Sequence, residues 1–159
     1  MATTVTSTLN QIVSNFQSIA TNHKQIHGFQ FGELADLYTS GVSNPVELWV
    51  QVDSFNRTRS TSRYSFTFWI VDSVRRGHET FTEVYSDTAQ IAEDFIAQLR
   101  HPDYKWTVIN VGASDDVLVN FFAEITPERY YGVTFSLSIQ LIKADDRCAI
   151  PFLTEPTKY

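Results

Sequence analysis

Leu9, Ile12, Val13, Phe16, Ile19 and Ala20 recur at steps of three and four residues, with Ile26 further on. That spacing lays an apolar stripe along one side of a helix. Ser7 or Thr8 is placed to cap its start and Gly28 to close it. The opposite side (Gln11, Ser14, Asn15, Gln17, Ser18) is polar but uncharged, a composition suited to contact with another protein. Residues 28–45 are punctuated by glycine and end in Asn44-Pro45, which predicts an extended connection. From Val46 the period falls to two. Val46, Leu48, Val50 and Val52 alternate with Glu47, Trp49, Gln51 and Asp53, and Tyr64, Phe66, Phe68 and Ile70 repeat the pattern. Two such half-buried runs predict an antiparallel hairpin, joined by a loop over 55–65, FNRTRSTSRYS.

Ser86 is the expected N-cap of a second helix, with Asp87 in its first turn, where a carboxylate suits the helix dipole. Ile91, Phe95 and Leu99, widened by Ala92 and Ile96, form its apolar seam; Arg100 and His101 mark its end, and Pro102 stops it. Strands are predicted within 105–111, 117–125 and 130–142. In the last of these, Val133, Phe135, Leu137, Ile139 and Leu141 alternate with Thr134, Ser136, Ser138 and Gln140, so one sheet face is buried and the other meets water or a polar partner. The predicted class is α+β: a single domain over 1–159, with an antiparallel sheet of about five strands and two main helices packed on one face. Residues 1–7 and 152–159 are read as extended termini.

Composition narrows the function. A hydrophobic share of 43% with 19% charged residues belongs to a folded chain rather than a disordered one. A net charge of −6 argues against a protein that lives by gripping nucleic acid. Against that background Arg57, Arg59, Arg63, Arg75 and Arg76 stand out as five of the twelve basic residues, with Asp72 the single acid among them. Three readings follow: a hydrated hairpin tip, a docking loop whose guanidiniums pair with a neighbour's carboxylates, or a phosphate hook on DNA.

The chemistry-bearing residues are sparse. Cys148 is the one cysteine, so no intramolecular disulfide forms, and none of His23, His27, His78 and His101 lies in a cysteine-protease signature; a small buried residue pinning the C-terminal tail is the expectation. His23 and His27 have a metal-compatible spacing, but no acid completes a motif. The pairs Asp115-Asp116 and Asp145-Asp146 read as turn residues, and no glycine-rich phosphate loop is present. The sequence therefore predicts no enzyme activity, cofactor or metal. No signal-peptide pattern and no bilayer-length apolar run is present, which predicts a soluble protein made in the cytoplasm.

Several stretches together resemble a known family: the N-terminal amphipathic helix leading to FGELADL (31–37) and NPVELWVQV (44–52), then VYSDTAQIAEDFIAQL (84–99), and GVTFSLSIQLI (132–142) running into DDRCAIP (145–151). These are similar to small head–tail joining proteins of tailed bacteriophages, of the tail-terminator (tail-completion) type, especially those of large phages infecting Bacteroidetes. The resemblance implies a non-enzymatic virion protein that forms a ring, commonly hexameric, at the tail end or neck. Its implied partners are copies of itself and the neighbouring tail-tube and neck or connector proteins. Viral DNA would pass through the channel without specific binding, and no membrane is involved. The alternative is a small α+β enzyme or ligand-binding domain with a pocket between helix and sheet.

Overall fold

The computed structural model describes residues 8–33, 35–37, 41–42, 45–73, 81–101, 107–109, 116–124, 130–142 and 145. Helix α1 spans Leu9–Asn22 and buries Ile12, Phe16, Ile19 and Ala20, the predicted stripe. Thr8 caps it through a reciprocal box: Gln11 N–H donates to Thr8 Oγ1 at 3.4 Å, and Thr8 N–H donates to Gln11 Oε1 at 2.8 Å. Two of the four orphan amides of the first turn are satisfied in this way. Thr8→Ala is expected to lower stability by about 1 kcal/mol, read by urea denaturation. No measurable change would mean that tertiary packing alone holds the first turn.

The helix ends sooner than its sequence suggests. His23, in an extended conformation, is the C-cap, and Gly28 begins a strand instead of closing the helix. The glycine is needed there for another reason: a Cβ would meet the Glu47 side chain at 2.7 Å. Strand β1 is Gly28–Phe31 and pairs in parallel with Glu47–Val50 of β2 (Glu47–Arg57). Part of the expected connection over 28–45 is thus sheet, and the sheet is mixed at this edge. Four residues are too few to show a period of two, and flanking glycines at 28 and 32 masked the strand.

Strand β3, Thr61–Ser73, pairs antiparallel with β2 and, along its whole length, with β6, Tyr130–Ile142. The other edge of β6 is shared end to end by β4 (Thr107–Ile109) and β5 (Val119–Glu124), which pair with residues 138–140 and 130–135. Among the described residues six strands therefore occupy five positions, all but the first pair antiparallel. The α+β class stands.

Helix α2 runs from Phe81 to Leu99, six residues longer at its start than the Ser86 cap implies. Val84 and Thr88 extend the buried seam backward, and Thr88 Oγ1 donates to the Val84 carbonyl at 2.7 Å, so its hydroxyl is satisfied within the helix. Burying an extra apolar turn outweighs the roughly 1 kcal/mol that an N-cap at Ser86 would contribute. Both helices cover the same sheet face. Phe16 of α1 meets Phe66 and Phe68 edge-on at 5.1 and 5.2 Å, and Phe95 of α2 meets Phe68 at 5.3 Å. Those rings, with Phe135, form the centre of the core.

The second sheet face is divided. At the Tyr130 end, Leu37, Trp49, Val71 and Tyr130 make a small separate core, and Val42 N–H donates to the Tyr130 hydroxyl at 3.1 Å. Elsewhere that face is polar, as the alternation requires, with Ser138 buried and Ser65, Thr67 and Gln140 half-buried.

Candidate interaction surface

The loop expected over 55–65 is mostly strand. Phe55 and Tyr64 pair across the hairpin with ring centroids 4.8 Å apart, and β2 and β3 continue beyond them to Arg57 and Thr61. Only Thr58–Ser60 lie outside the strands. Thr58 N–H donates to the Thr61 carbonyl at 2.9 Å, Thr61 N–H donates to Thr58 Oγ1 at 3.1 Å, and the two hydroxyls meet at 2.6 Å. These contacts staple the turn, with Arg59 exposed at its tip.

The arginines do not converge. Arg57 pairs with Ser62 and Asn56 with Arg63, so alternation sends Arg57 and Arg63 to opposite faces of the sheet. On the helix side, Arg57 donates to Asp145 Oδ1 at 2.6 Å and to Ser62 Oγ at 3.2 Å. On the polar side, Arg63 donates to Gln140 Oε1 at 3.4 Å. A hook that closes on one phosphate needs its guanidiniums on one side. Arg57, its charge offset by Asp145, and Arg63 instead lie on opposite faces at the end of the hairpin. Arg75 and Arg76 lie outside the described residues, as do His78, Asp115, Asp146 and Cys148.

The polar face beside the hairpin end is a ladder of short side chains. Ser65 and Ser138 hydroxyls meet at 3.0 Å, and those of Thr67 and Ser136 at 3.3 Å. Thr67 also donates to Asp53, which accepts a second bond from Gln51 Nε2 at 3.1 Å. Asp53 sits where the β2–β3 register slips between Val52 and Ser54. A bulge of this kind twists the strand and blunts an edge that would otherwise template pairing with another chain.

Aromatic side chains gather at the opposite end of the same strands. Phe81, at the start of α2, meets Tyr131 at 4.7 Å, and Tyr85 meets Phe121 of β5 at 4.9 Å. Phe81 and Phe121 remain 51% and 57% exposed, well above what a core position would leave. The exposed side of α2 carries Glu83, Asp87, Glu93 and Asp94, with no basic residue before Arg100, and lies away from the flank that meets Phe121. None of these aromatics was singled out from the sequence. The adjacent pair Phe121-Phe122 held a signal, because neighbours in a strand must face opposite sides.

The histidines are divided by the early end of α1, so His23 and His27 do not share a helix face. His27 Nδ1 lies 2.6 Å from the Pro45 carbonyl, a contact that requires the ring N–H there. His23 lines an open groove of about 510 Å³ between α1 and α2, with Ser18, Asn22, Asp94 and Gln98. Gln25 N–H donates to His23 Nδ1 at 3.2 Å, which places the proton of the neutral ring on Nε2, facing Asp94 Oδ2 at 3.1 Å. Both ring nitrogens are engaged, so this arrangement clamps the end of α1 to α2 and leaves no lone pair for a general base. Among the described residues no group of three His, Cys, Asp or Glu is placed to hold a metal ion, and no helix is long and apolar enough to cross a membrane.

No protein-family model and no curated protein matches the chain.

Proposed function

We propose that the chain is a structural protein of a tailed-bacteriophage particle, assembling with its own copies into a ring at the tail end or neck. There it would terminate the tail tube and join tail to head. The observation that supports this reading most is the placement of the large exposed apolar side chains. Phe55 and Ile142 lie at one end of the long strands, Phe81 and Phe121 lie toward the other, and Leu118 lies beside the middle of β6. Isolated apolar residues on a surface need no explanation, whereas several large ones distributed along one sheet suit contacts between subunits. The acidic total supports the channel part of the reading, since a basic wall would hold phosphates and slow DNA passage.

The test is to locate the protein. Mass spectrometry of purified virions should detect it in several copies per particle, and electron microscopy should place it as a closed ring at the tail end or neck. Absence from virions, together with a monomer in solution, would overturn the reading. That result would favour the alternative of a small ligand-binding domain or enzyme, for which the groove beside His23 and Asp94 is the feature to probe.

A further inference from the structure

Four rings line one seam between α2 and strand β5. Phe81 and Tyr85 stand one helical turn apart on α2 and so share a face. Phe81 meets Tyr131 of β6 at 4.7 Å, Tyr131 meets Tyr85 at 6.3 Å, and Tyr85 meets Phe121 of β5 at 4.9 Å. The two end rings are the exposed ones. Ala123, which pairs with Tyr131, shares its side of β5 with Phe121 and presents only a methyl group, which leaves a step in the row. The hydroxyls of the two inner rings differ. That of Tyr85 donates to the Phe122 carbonyl at 3.4 Å. That of Tyr131 has no hydrogen-bond partner among the described residues, although the residue is only 7% exposed. A phenol O–H withdrawn from water and left unmatched costs free energy, so an acceptor brought by a ligand gains more here than on open surface.

We infer that the seam of Phe81, Tyr131, Tyr85 and Phe121 binds a proline-rich segment of another protein in the polyproline II conformation, with a backbone carbonyl of that segment accepting from the Tyr131 hydroxyl. The seam supplies ring faces and one unsatisfied donor, and the occupant has to match both. An added β-strand or a sugar brings donors of its own that need acceptors. A prolyl peptide unit brings a carbonyl and no N–H, and its ring packs on aromatic faces. Polyproline II has no internal hydrogen bonds to break and is extended before it binds, so little entropy is lost on docking. It advances about 3.1 Å per residue, so roughly five residues cover the row. The occupant is not a second copy. Of the five prolines in this chain no two stand three apart, the spacing that returns a side chain to the same face of that helix. The inference goes beyond the ring reading and does not rest on it. It assigns Phe81 and Phe121 to a foreign partner and leaves Phe55, Leu118 and Ile142 for contacts between subunits.

The experiment titrates the full chain into a fluorescein-labelled dodecaproline peptide and reads fluorescence anisotropy, with a Gly-Ser peptide of equal length as control. Dodecaproline should bind saturably and the control should not. Phe121→Ser, which removes an exposed ring, should weaken binding at least ~10-fold. Phe55→Ala, which removes an exposed ring at the far end of the sheet, should leave binding unchanged. Tyr131→Phe is the decisive variant, because it keeps the ring and removes the hydroxyl alone. It should weaken binding about 3–10-fold while the urea midpoint stays at the wild-type value, since no internal bond is lost. Circular dichroism checks that each variant is folded, and Tyr131→Phe keeps the test available if Phe121→Ser is not. No binding of dodecaproline up to millimolar concentration, equal binding of the Gly-Ser control, or binding that survives both seam variants overturns the proposal. So does a lowered urea midpoint for Tyr131→Phe, which would reveal an internal partner for the hydroxyl. A protein that binds dodecaproline at this seam yet is absent from virions upholds the site and overturns the ring. One that forms a ring in virions and ignores the peptide does the reverse.

Discussion

Phe68→Ala should be the most destabilising truncation in the core, with a loss of about 3–5 kcal/mol on urea unfolding. Phe68 is fully buried at the middle of β3, and every layer of the molecule touches it. Phe16 approaches it from α1 at 5.2 Å, Phe95 from α2 at 5.3 Å, and Phe135 stacks on it from β6 at 5.0 Å. Removing the ring strips contacts from three elements at once. Rigid β strands on either side limit how far the hole can collapse, and residual cavity volume is what sets the cost. For a chain of this length the melting temperature should fall by roughly 10 °C. Phe55→Ala is the matched control, because its ring is 55% exposed and stacks mainly on Tyr64; it should lose under about 1 kcal/mol. A loss below about 1.5 kcal/mol for Phe68→Ala would mean that the aromatic centre is loosely packed.

Gly132→Ala is the second large effect, and it acts through backbone. A Cβ at Gly132 would stand 1.8 Å from the Ile70 carbonyl oxygen and 3.0 Å from its carbon. Gly132 pairs with Val71, so the obstructing atom belongs to the neighbouring strand of the central pair and cannot rotate away as a side chain would. The β3–β6 ladder has to part locally, at a cost at or above the upper end of the about 1–3 kcal/mol typical of overpacking. Native-state hydrogen exchange should show the amides of residues 70–72 opening first, ahead of those near Phe66. Wild-type stability, within about 0.5 kcal/mol, would refute the close approach.

The contrast between these two residues shows what the sequence could disclose. Phe68 was legible, since alternation from Tyr64 to Ile70 assigns it to the buried face. Gly132 was not, because a glycine in a strand says that something is close without saying what. The same divide runs through the fold. Long elements announced themselves by period: α1, the hairpin, and the β6 ladder with its hydroxyl-bearing reverse side. The short parallel strand β1 did not, nor did the first turn of α2, where burial of Val84 and Thr88 outweighs the better capping chemistry of Ser86. Composition located the arginines of the hairpin, but their distribution over two faces depends on the register of Arg57 with Ser62, a long strand extension that Ser and Thr disguised as a loop. The exposed rings of Phe81 and Phe121 were hidden for a different reason: apolar residues are read by default as core, and only three dimensions show which ones run out of neighbours.

The strand that pairs with the central strand along its whole length is, among the described strands, the last one made. β3 is complete once residue 73 has been synthesised, yet its partner β6 begins at residue 130 and ends at 142. At about 5–20 residues per second, a ribosome needs several seconds to supply it. Through that interval the β6-facing edge of β3 has no partner, and α2, which covers Phe66, Phe68 and Ile70, is made only in its first half. What exists at the start of the interval is α1, β1 and β2, and Phe16 reaches both Phe66 and Phe68 from α1. α1 is therefore the first element in chain order that can cover the apolar face of the hairpin.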